Sequence, residues 1–417
     1  MLSARLGAVF EVRPGEGRSV AWAALTFFLI MTAYFVLRPV RDALVLEGDP
    51  AFITWLFTAT FIAMTAIAAP WGALVARVPR ARLVPLSFRA FVVQLLIFAG
   101  LVTWGGAPVV VGQVFYVWLS VFNLFVVSVF WSLCADLARP EQGRRVFAAI
   151  AAGGTAGALV GPTITKLAAD LEPAVLLVAS AVLLEAAVWT ARAFLASAPA
   201  ATRTAPPPLG GSAIAGLRRL GRSPYLLGIA GYAMAAATLA TFVYLNQAVI
   251  AKAALPDRAA RTAFFADVDI ATGLATLALQ LVVTARLLRW LGAGLVLAAL
   301  PLIQGAGVVA LTVAPSLAMA VAVSASGRAA THALARPSRE LLFTALPRDD
   351  KYRAKNVIDT LVYRFGDFGS SWLHRGLGAA GIAVTAVAVP LAAGWAVLAI
   401  ALGRGHRRRV AASEPDR

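Results

Sequence analysis

The sequence is poor in the residues on which most enzymes and secreted domains depend. It has one cysteine, Cys134, in 417 residues, so no intrachain disulfide can form. Its histidines, His332, His374 and His406, are too scattered to supply a metal site. Charged residues make up only 14%, against about a quarter in a soluble domain. Acids are the scarcer sign, 20 against 37 Lys and Arg, which leaves a net charge of +17. No nucleophile stands at an informative spacing from a base, and no cofactor box is legible. Gly153-Gly154-x-x-Gly157 falls inside an apolar run and not after a strand, so it is no phosphate-cradling loop. Together these absences argue against an enzyme.

Apolar residues fill the space that the others leave, at 60% of the chain. Runs of about 20 apolar residues can cross a hydrocarbon core roughly 30 Å thick. Such runs fall near 19–46, 52–76, 83–104, 108–137, 146–168 and 173–196, and again near 224–251, 262–285, 292–313, 315–345, 355–378 and 380–403. The first, Ser19 to Leu37 and beyond, is long enough to span and has no small-residue cleavage site before the next polar stretch, so it reads as a span and not a signal peptide. The expected fold is an all-α integral membrane protein of twelve transmembrane helices.

Loop charge tests this layout independently, because short cytoplasmic loops keep Lys and Arg. With the N-terminus inside, the inner segments hold Arg5, Arg13 and Arg18; Arg77, Arg80 and Arg82; Arg139, Arg144 and Arg145; and Arg192, Arg203, Arg218, Arg219 and Arg222. The alternation continues through Arg286 and Arg289, the loop 348–355 and the tail 404–409. The outer loops hold only Lys166, Lys252, Arg258, Arg261 and Arg375. Both termini are therefore expected in the cytoplasm. Because the basic residues cluster between apolar runs and do not line one polar face, the positive charge points to a membrane surface and not to nucleic acid.

Between the two sets of runs, Pro206, Pro207, Pro208, Gly210 and Gly211 mark a flexible connector. The division is thus a six-helix half at 1–196, a cytoplasmic linker at 197–222, and a second half with a basic tail at 223–417. Residues 213–222, apolar with three arginines, read either as a short interfacial helix or as an ordinary basic loop.

Ionised side chains within spans are costly and normally pair or face a wet cavity. This chain has Arg38, Arg41 and Asp42 in the first span, Asp136 in the fourth, and Arg328, His332, Arg336, Arg339 and Glu340 in the tenth. The eleventh holds Lys355 at its start, then Asp359, Arg364 and Asp367. Mutual salt bridges would account for many of them. Arg38-Pro39-Val40-Arg41-Asp42 and Arg336-Pro337-Ser338-Arg339-Glu340 share one pattern. The spacing puts two arginines and an acid on one helical face, and the proline loosens the backbone beside them. Arginines outnumber acids on the first, fourth, seventh and tenth spans, which suits an anionic solute, since the guanidinium fork matches carboxylate or phosphate.

Several motifs carry resemblances. Six spans plus six, with Gly72-Ala-Leu-Val-Ala-Arg77-Val-Pro-Arg80-Ala-Arg82 in the first inner loop and Arg286/Arg289 in its counterpart, resemble the major facilitator architecture. Ala76 replaces a common acid there. Gly157-x-x-x-Gly161-Pro162 allows close helix packing and is similar to a motif of many exchangers. Tyr34 to Val45, the run Phe130-Trp131 to Asp136 continuing to Phe147, and Lys355-Asn-Val-Ile-Asp359 with Arg364-Phe-Gly366 resemble the ATP/ADP translocase family and its free-living bacterial relatives. The departures are Asp367 for a basic residue and Asp136 for an Asn. The resemblance implies a multi-pass protein of a bacterial inner membrane that exchanges nucleotides. Arg41 would contact the phosphates, with Arg364 beside the site, and the acid at 367 would weaken phosphate binding.

The reading is an alternating-access carrier with no cofactor and no metal, a monomer whose partners are the lipid bilayer and a small anionic solute such as a nucleotide. Arg38, Arg41, Arg336, Arg339 and Arg364 are the candidate substrate-binding residues. Asp42, Asp136, Glu340, Lys355, Asp359 and Asp367 are the candidate gating or charge-pairing residues. Two rivals stay open: a proton-coupled exporter in which Asp136 or Asp367 titrates, and a membrane receptor or assembly protein that keeps the fold without transport.

Overall fold

Proline opens several of the helices and a short side chain caps others, as backbone donors at a helix start require. The computed structural model describes residues 16–137, 140–197, 218, 220–346, 354–355 and 357–413. Its first helices are α1 (Gly17–Val45), α2 (Ile53–Arg77), α3 (Arg80–Trp104), α4 (Pro108–Leu137), α5 (Pro140–Leu167) and α6 (Pro173–Ser197). After the connector come α7 (Pro224–Ala254), α8 (Arg258–Leu279) and α9 (Ala285–Val313), with a π-helical turn, Gln280–Thr284, between the last two. Ser223 and Asp257 cap α7 and α8 by accepting from the amides of Leu226 and Ala260.

The last helices are interrupted. α10 runs as Leu317–Ala330, a π-helical turn Thr331–Ala335, and Arg336–Thr344. α11 begins with the π-helical turn Ile358–Val362 and continues as Tyr363–Ala379, and α12 is Thr385–Ser413. Ser316 caps α10 by accepting from Met319 N at 3.2 Å. Gly292, at φ 72° and ψ 167°, breaks α9 near its start, a conformation open to glycine and strained for other residues.

Among the described residues, nine helical stretches are long and apolar enough to cross a membrane, one of them the continuous Arg258–Val313. The expected spans at 315–345 and 355–378 are absent from that set. Each carries several charged or polar residues, which lower its hydropathy. The connector lies outside the described residues except for its ends, as does most of the loop 348–355.

The helices group into two compact units, Met1–Asp49, Ile62–Pro208 and Leu255–Ile270 in one, and Pro50–Phe61, Leu209–Ala254 and Ala271–Arg417 in the other. α2 and α8 are each shared between the units. In the first, α1 packs on α4, α5 and α6, and α3 on α4 and α6. In the second, α7 packs on α10, α11 and α12, and α9 on α10 and α12. Each pairing of the first set thus recurs six helices later, the contact signature of an internal repeat.

Glycine sets the α1–α5 seam. A Cβ on Gly157 would lie 2.4 Å from Phe28 O, and one on Gly153 2.3 Å from Ala24 O. The two backbones touch there, as small-residue spacing permits. Phe27, Phe122, Phe130 and Leu184 belong to the first unit's core, and Trp395, Phe242 and Phe343 are fully buried in the second. Trp104, Leu167, Leu281 and Trp290 stand exposed, which water would penalise and lipid does not.

Candidate functional site

Pro39 interrupts the hydrogen-bond ladder of α1 within its charged segment, between Arg38 and Arg41. Val36 O there accepts a bond from Thr165 Oγ1 of α5 at 2.9 Å, and Ser180 of α6 donates to Ala33 O at 3.0 Å. These bonds hold the helix that presents Arg38, Arg41 and Asp42. Arg41 Nε and Nη2 donate to Asp42 Oδ1 at 2.8 and 2.6 Å, and the guanidinium stacks on Tyr116, 4.5 Å from the ring centroid. The Arg41 and Asp42 side chains are only 10% and 3% exposed. Arg38 turns instead to α8, with Nη1 3.0 Å from Asp269 Oδ1.

Further pairs tie the same unit together near the helix ends. Lys166 of α5 lies 2.6 Å from Asp267 of α8. Arg258 reaches Glu47 at 3.3 Å and Glu172 at 3.4 Å. Arg261 donates to Leu46 O, Leu255 O and Pro256 O, so its guanidinium serves as a backbone cap. Arg89 of α3 pairs with Glu185 of α6 at 2.7 Å. The side chain of Asp136 lies outside the described residues.

In the second unit, proline again precedes charge. Pro337 has no N–H to give to Ala333 O, one turn back. Thr284 Oγ1, in the π turn between α8 and α9, lies 3.0 Å from that oxygen and 3.0 Å from Leu279 O, and its one hydrogen serves the two. The carbonyl freed by proline is thereby satisfied across helices. Beyond it, Arg339 Nη2 reaches Asp359 Oδ1 of α11 at 2.5 Å, and Glu340 pairs with Lys355 at 2.6 Å. The acid of this second pattern therefore pairs outside its own segment, whereas Asp42 of the first accepts from the adjacent Arg41. Arg364 lies 3.4 Å from Asp367, which also accepts from Thr241 of α7 at 3.4 Å. Arg336 is exposed and forms no ion pair among the described residues.

Sequence reasoning missed a polar cluster higher in this unit. Gln247 of α7, Gln304 of α9, and Ser324 and Arg328 of α10 line one cavity of about 50 Å³ with Tyr244, Val243 and Val323. Gln247 is 0% and Gln304 5% exposed. Ser324 Oγ donates to Gln247 Oε1 at 2.5 Å. Gln247 Nε2 and Gln304 Oε1 are left without a partner among the described residues. The signal in the sequence is a lone Gln in each of two apolar runs. Lys166 was legible as an outer-loop charge, and its pairing with Asp267 was not.

No protein-family model matches the chain, and no curated protein is similar to it at a significant level. Solved structures do match along nearly its whole length. The nucleoside transporter NupG aligns with a TM-score of 0.63 at 14% identity, covering 92% of this chain and 98% of that one. A bacterial homologue of the human lysosomal transporter Spinster aligns at 0.62 and 14%, covering 94% and 98%. A bacterial homologue of the iron transporter ferroportin aligns at 0.63 and 14%, covering 93% and 98%. The chain thus has the all-helical fold of the major facilitator transporters.

Proposed function

We propose that the protein is an alternating-access membrane transporter of a small anionic solute, a nucleotide of the ATP/ADP type being the leading candidate. The observation that carries this reading is the set of arginines on two helices of a transporter fold, Arg38 and Arg41 on α1 and Arg339 on α10 held in ion pairs, with Arg336 exposed beside the last. Ionised groups at membrane depth are retained for substrate pathways and their gates, and guanidinium is the side chain suited to phosphate and carboxylate. Arg336, exposed and without an ion pair among the described residues, has its donors available to a ligand. Asp42, Asp359, Glu340, Lys355 and Asp367 orient the arginines or exchange partners during the cycle. The resemblance of the α1, α4 and α11 segments to the ATP/ADP translocases supplies the nucleotide. Twelve spans, halves at 1–196 and 223–417, cytoplasmic termini, a bacterial inner membrane and a monomeric carrier belong to the same proposal.

Uptake into proteoliposomes preloaded with nucleotide tests it. Saturable exchange of labelled ATP or ADP, lost in Arg336→Gln and Arg339→Gln, is the expected result. No saturable flux of any nucleotide or organic anion overturns it. Asp367, with both of its contacts long at 3.4 Å, favours one alternative, proton-coupled export. Flux driven by a pH gradient without countersubstrate selects that reading.

A further inference from the structure

The arginines account for the charged end of a solute and leave unexplained two buried amides that the protein does not satisfy. Gln304 makes no hydrogen bond among the described residues, and Gln247 uses only its Oε1, on Ser324. An unpaired buried amide group costs about 1–3 kcal/mol, and Met or Leu would fill the same volume without that cost. Both amides border one cavity, whose volume of about 50 Å³ exceeds the roughly 10–15 Å³ that a single water needs. Its remaining walls include Tyr244, Val243 and Val323, with Arg328 the one charged residue on the lining. Apolar and aromatic walls around a few aimed polar groups are the composition of a ligand pocket.

The two atoms that are both buried and unpaired differ in kind. Gln247 Nε2 is a donor and Gln304 Oε1 an acceptor. An oxyanion, which brings acceptors only, would leave Gln304 Oε1 unpaired and face it with like partial charge. An ammonium would do the same to Gln247 Nε2. A planar group with an acceptor beside a donor satisfies both. We propose that this cavity binds the amide-type edge of a solute, accepting from Gln247 Nε2 and donating to Gln304 Oε1, with its flat face against the apolar wall. Nucleobases and carboxamides both carry such an edge. The inference rests on the reading of the chain as a solute carrier and adds the uncharged, discriminating end of the solute. A site built to hydrogen-bond a group rejects analogues that lack it far more strongly than an apolar pocket does.

Calorimetric titration of the purified protein in nanodiscs tests the pocket directly. Uridine, adenosine and inosine serve as nucleobase probes, nicotinamide and glutamine as carboxamide probes, and pyrophosphate as an anion with no such edge. At least one amide-edge probe binds, and Gln304→Met weakens it tenfold or more while leaving any pyrophosphate binding unchanged. Gln304→Met breaks no hydrogen bond seen within the protein, so the variant is expected to fold, and an unchanged or raised melting temperature verifies this. Which group of probes responds identifies the source of the edge. Failure of every amide-edge probe on the wild type, with water alone filling the cavity, overturns the proposal. So does equal affinity in Gln304→Met. Counterflow in proteoliposomes separates this from the carrier reading. Exchange indifferent to Gln304 sinks the pocket alone, and Gln304-dependent binding without flux of any probe upholds the pocket and sinks the carrier.

Discussion

At the scale of single residues, two arginine–aspartate pairs of similar length differ in what surrounds them. Arg41 and Asp42 are 10% and 3% exposed, and Arg41 also lies on Tyr116. Arg339 and Asp359 are 16% and 32% exposed. Removing one partner of a buried pair costs about 3–5 kcal/mol because a desolvated charge loses its counterion, whereas a partly wet pair is worth far less. Arg41→Gln is therefore expected to lower the apo melting temperature strongly, and the double variant with Asp42→Asn to recover much of the loss. Absence of recovery in thermal melts would show that Tyr116 packing, and not the ion pair, dominates at Arg41. Asp359→Asn should behave in the opposite way, with a small melting shift and uptake reduced about tenfold, the loss of one charge-assisted hydrogen bond of about 1.5–3 kcal/mol that aims Arg339. Wild-type flux in Asp359→Asn would remove Arg339 from the transport machinery.

At the scale of helices, backbone geometry decides more than composition does. Gly157 has Phe28 O and Thr32 N within 2.4 and 2.9 Å of where a Cβ would sit. Gly157→Ala thus forces α1 and α5 apart and should destabilise by about 1–3 kcal/mol, as overpacking does. Gly394, in α12 with open space around it, is the control, and Gly394→Ala should be neutral or slightly stabilising. Equal melting temperatures for the two variants would dissolve the seam argument. The Gly-x-x-x-Gly-Pro spacing in α5 was legible in the sequence as a packing face, and its partner helix was not, because nothing in a local spacing names what lies opposite. The π turns were illegible for the same reason. Pro337 announces a broken ladder, but only the fold brings Thr284 to Ala333 O. Thr284→Val should cost about 1 kcal/mol, the net worth of one hydrogen bond. The cost should shrink in a Pro337→Ala background, where an N–H returns to that carbonyl. A double-mutant cycle on melting free energies reads the coupling directly, and additive effects would refute it.

At the scale of the whole molecule, apolar periodicity fixed where the helices run, since a span needs little beyond length and hydropathy. The expected run at 108–137 coincides with α4, and that at 173–196 ends one residue before α6 does. The charge pattern marked which spans carry ions without saying how they pair: Arg38 was grouped with Asp42 and lies on Asp269, and Glu340 was grouped with Arg336 and lies on Lys355. Pairing depends on helix order and rotation, which a single sequence does not encode locally. Those distant pairs carry the last prediction. Lys166 of α5 meets Asp267 of α8 at 2.6 Å, and Arg258 of α8 meets Glu47 and Glu172, at helix ends that the loop charges assign to the outer face. In an alternating-access carrier, ties between helix ends on the outer face part when that face opens, although these pairs lie within one compact unit. Both partners of the first pair are nearly half exposed, at 49% and 43%, so each can be exchanged without opening the core. Lys166→Cys with Asp267→Cys, made in a Cys134→Ala background, should let a short bismaleimide bridge α5 to α8. Bridged protein is expected to keep its melting temperature and to lose uptake, while either single cysteine treated with the same reagent keeps its flux. Uptake that persists in fully bridged protein would mean that α5 and α8 stay together through the cycle, and the moving parts would have to be sought elsewhere in the bundle.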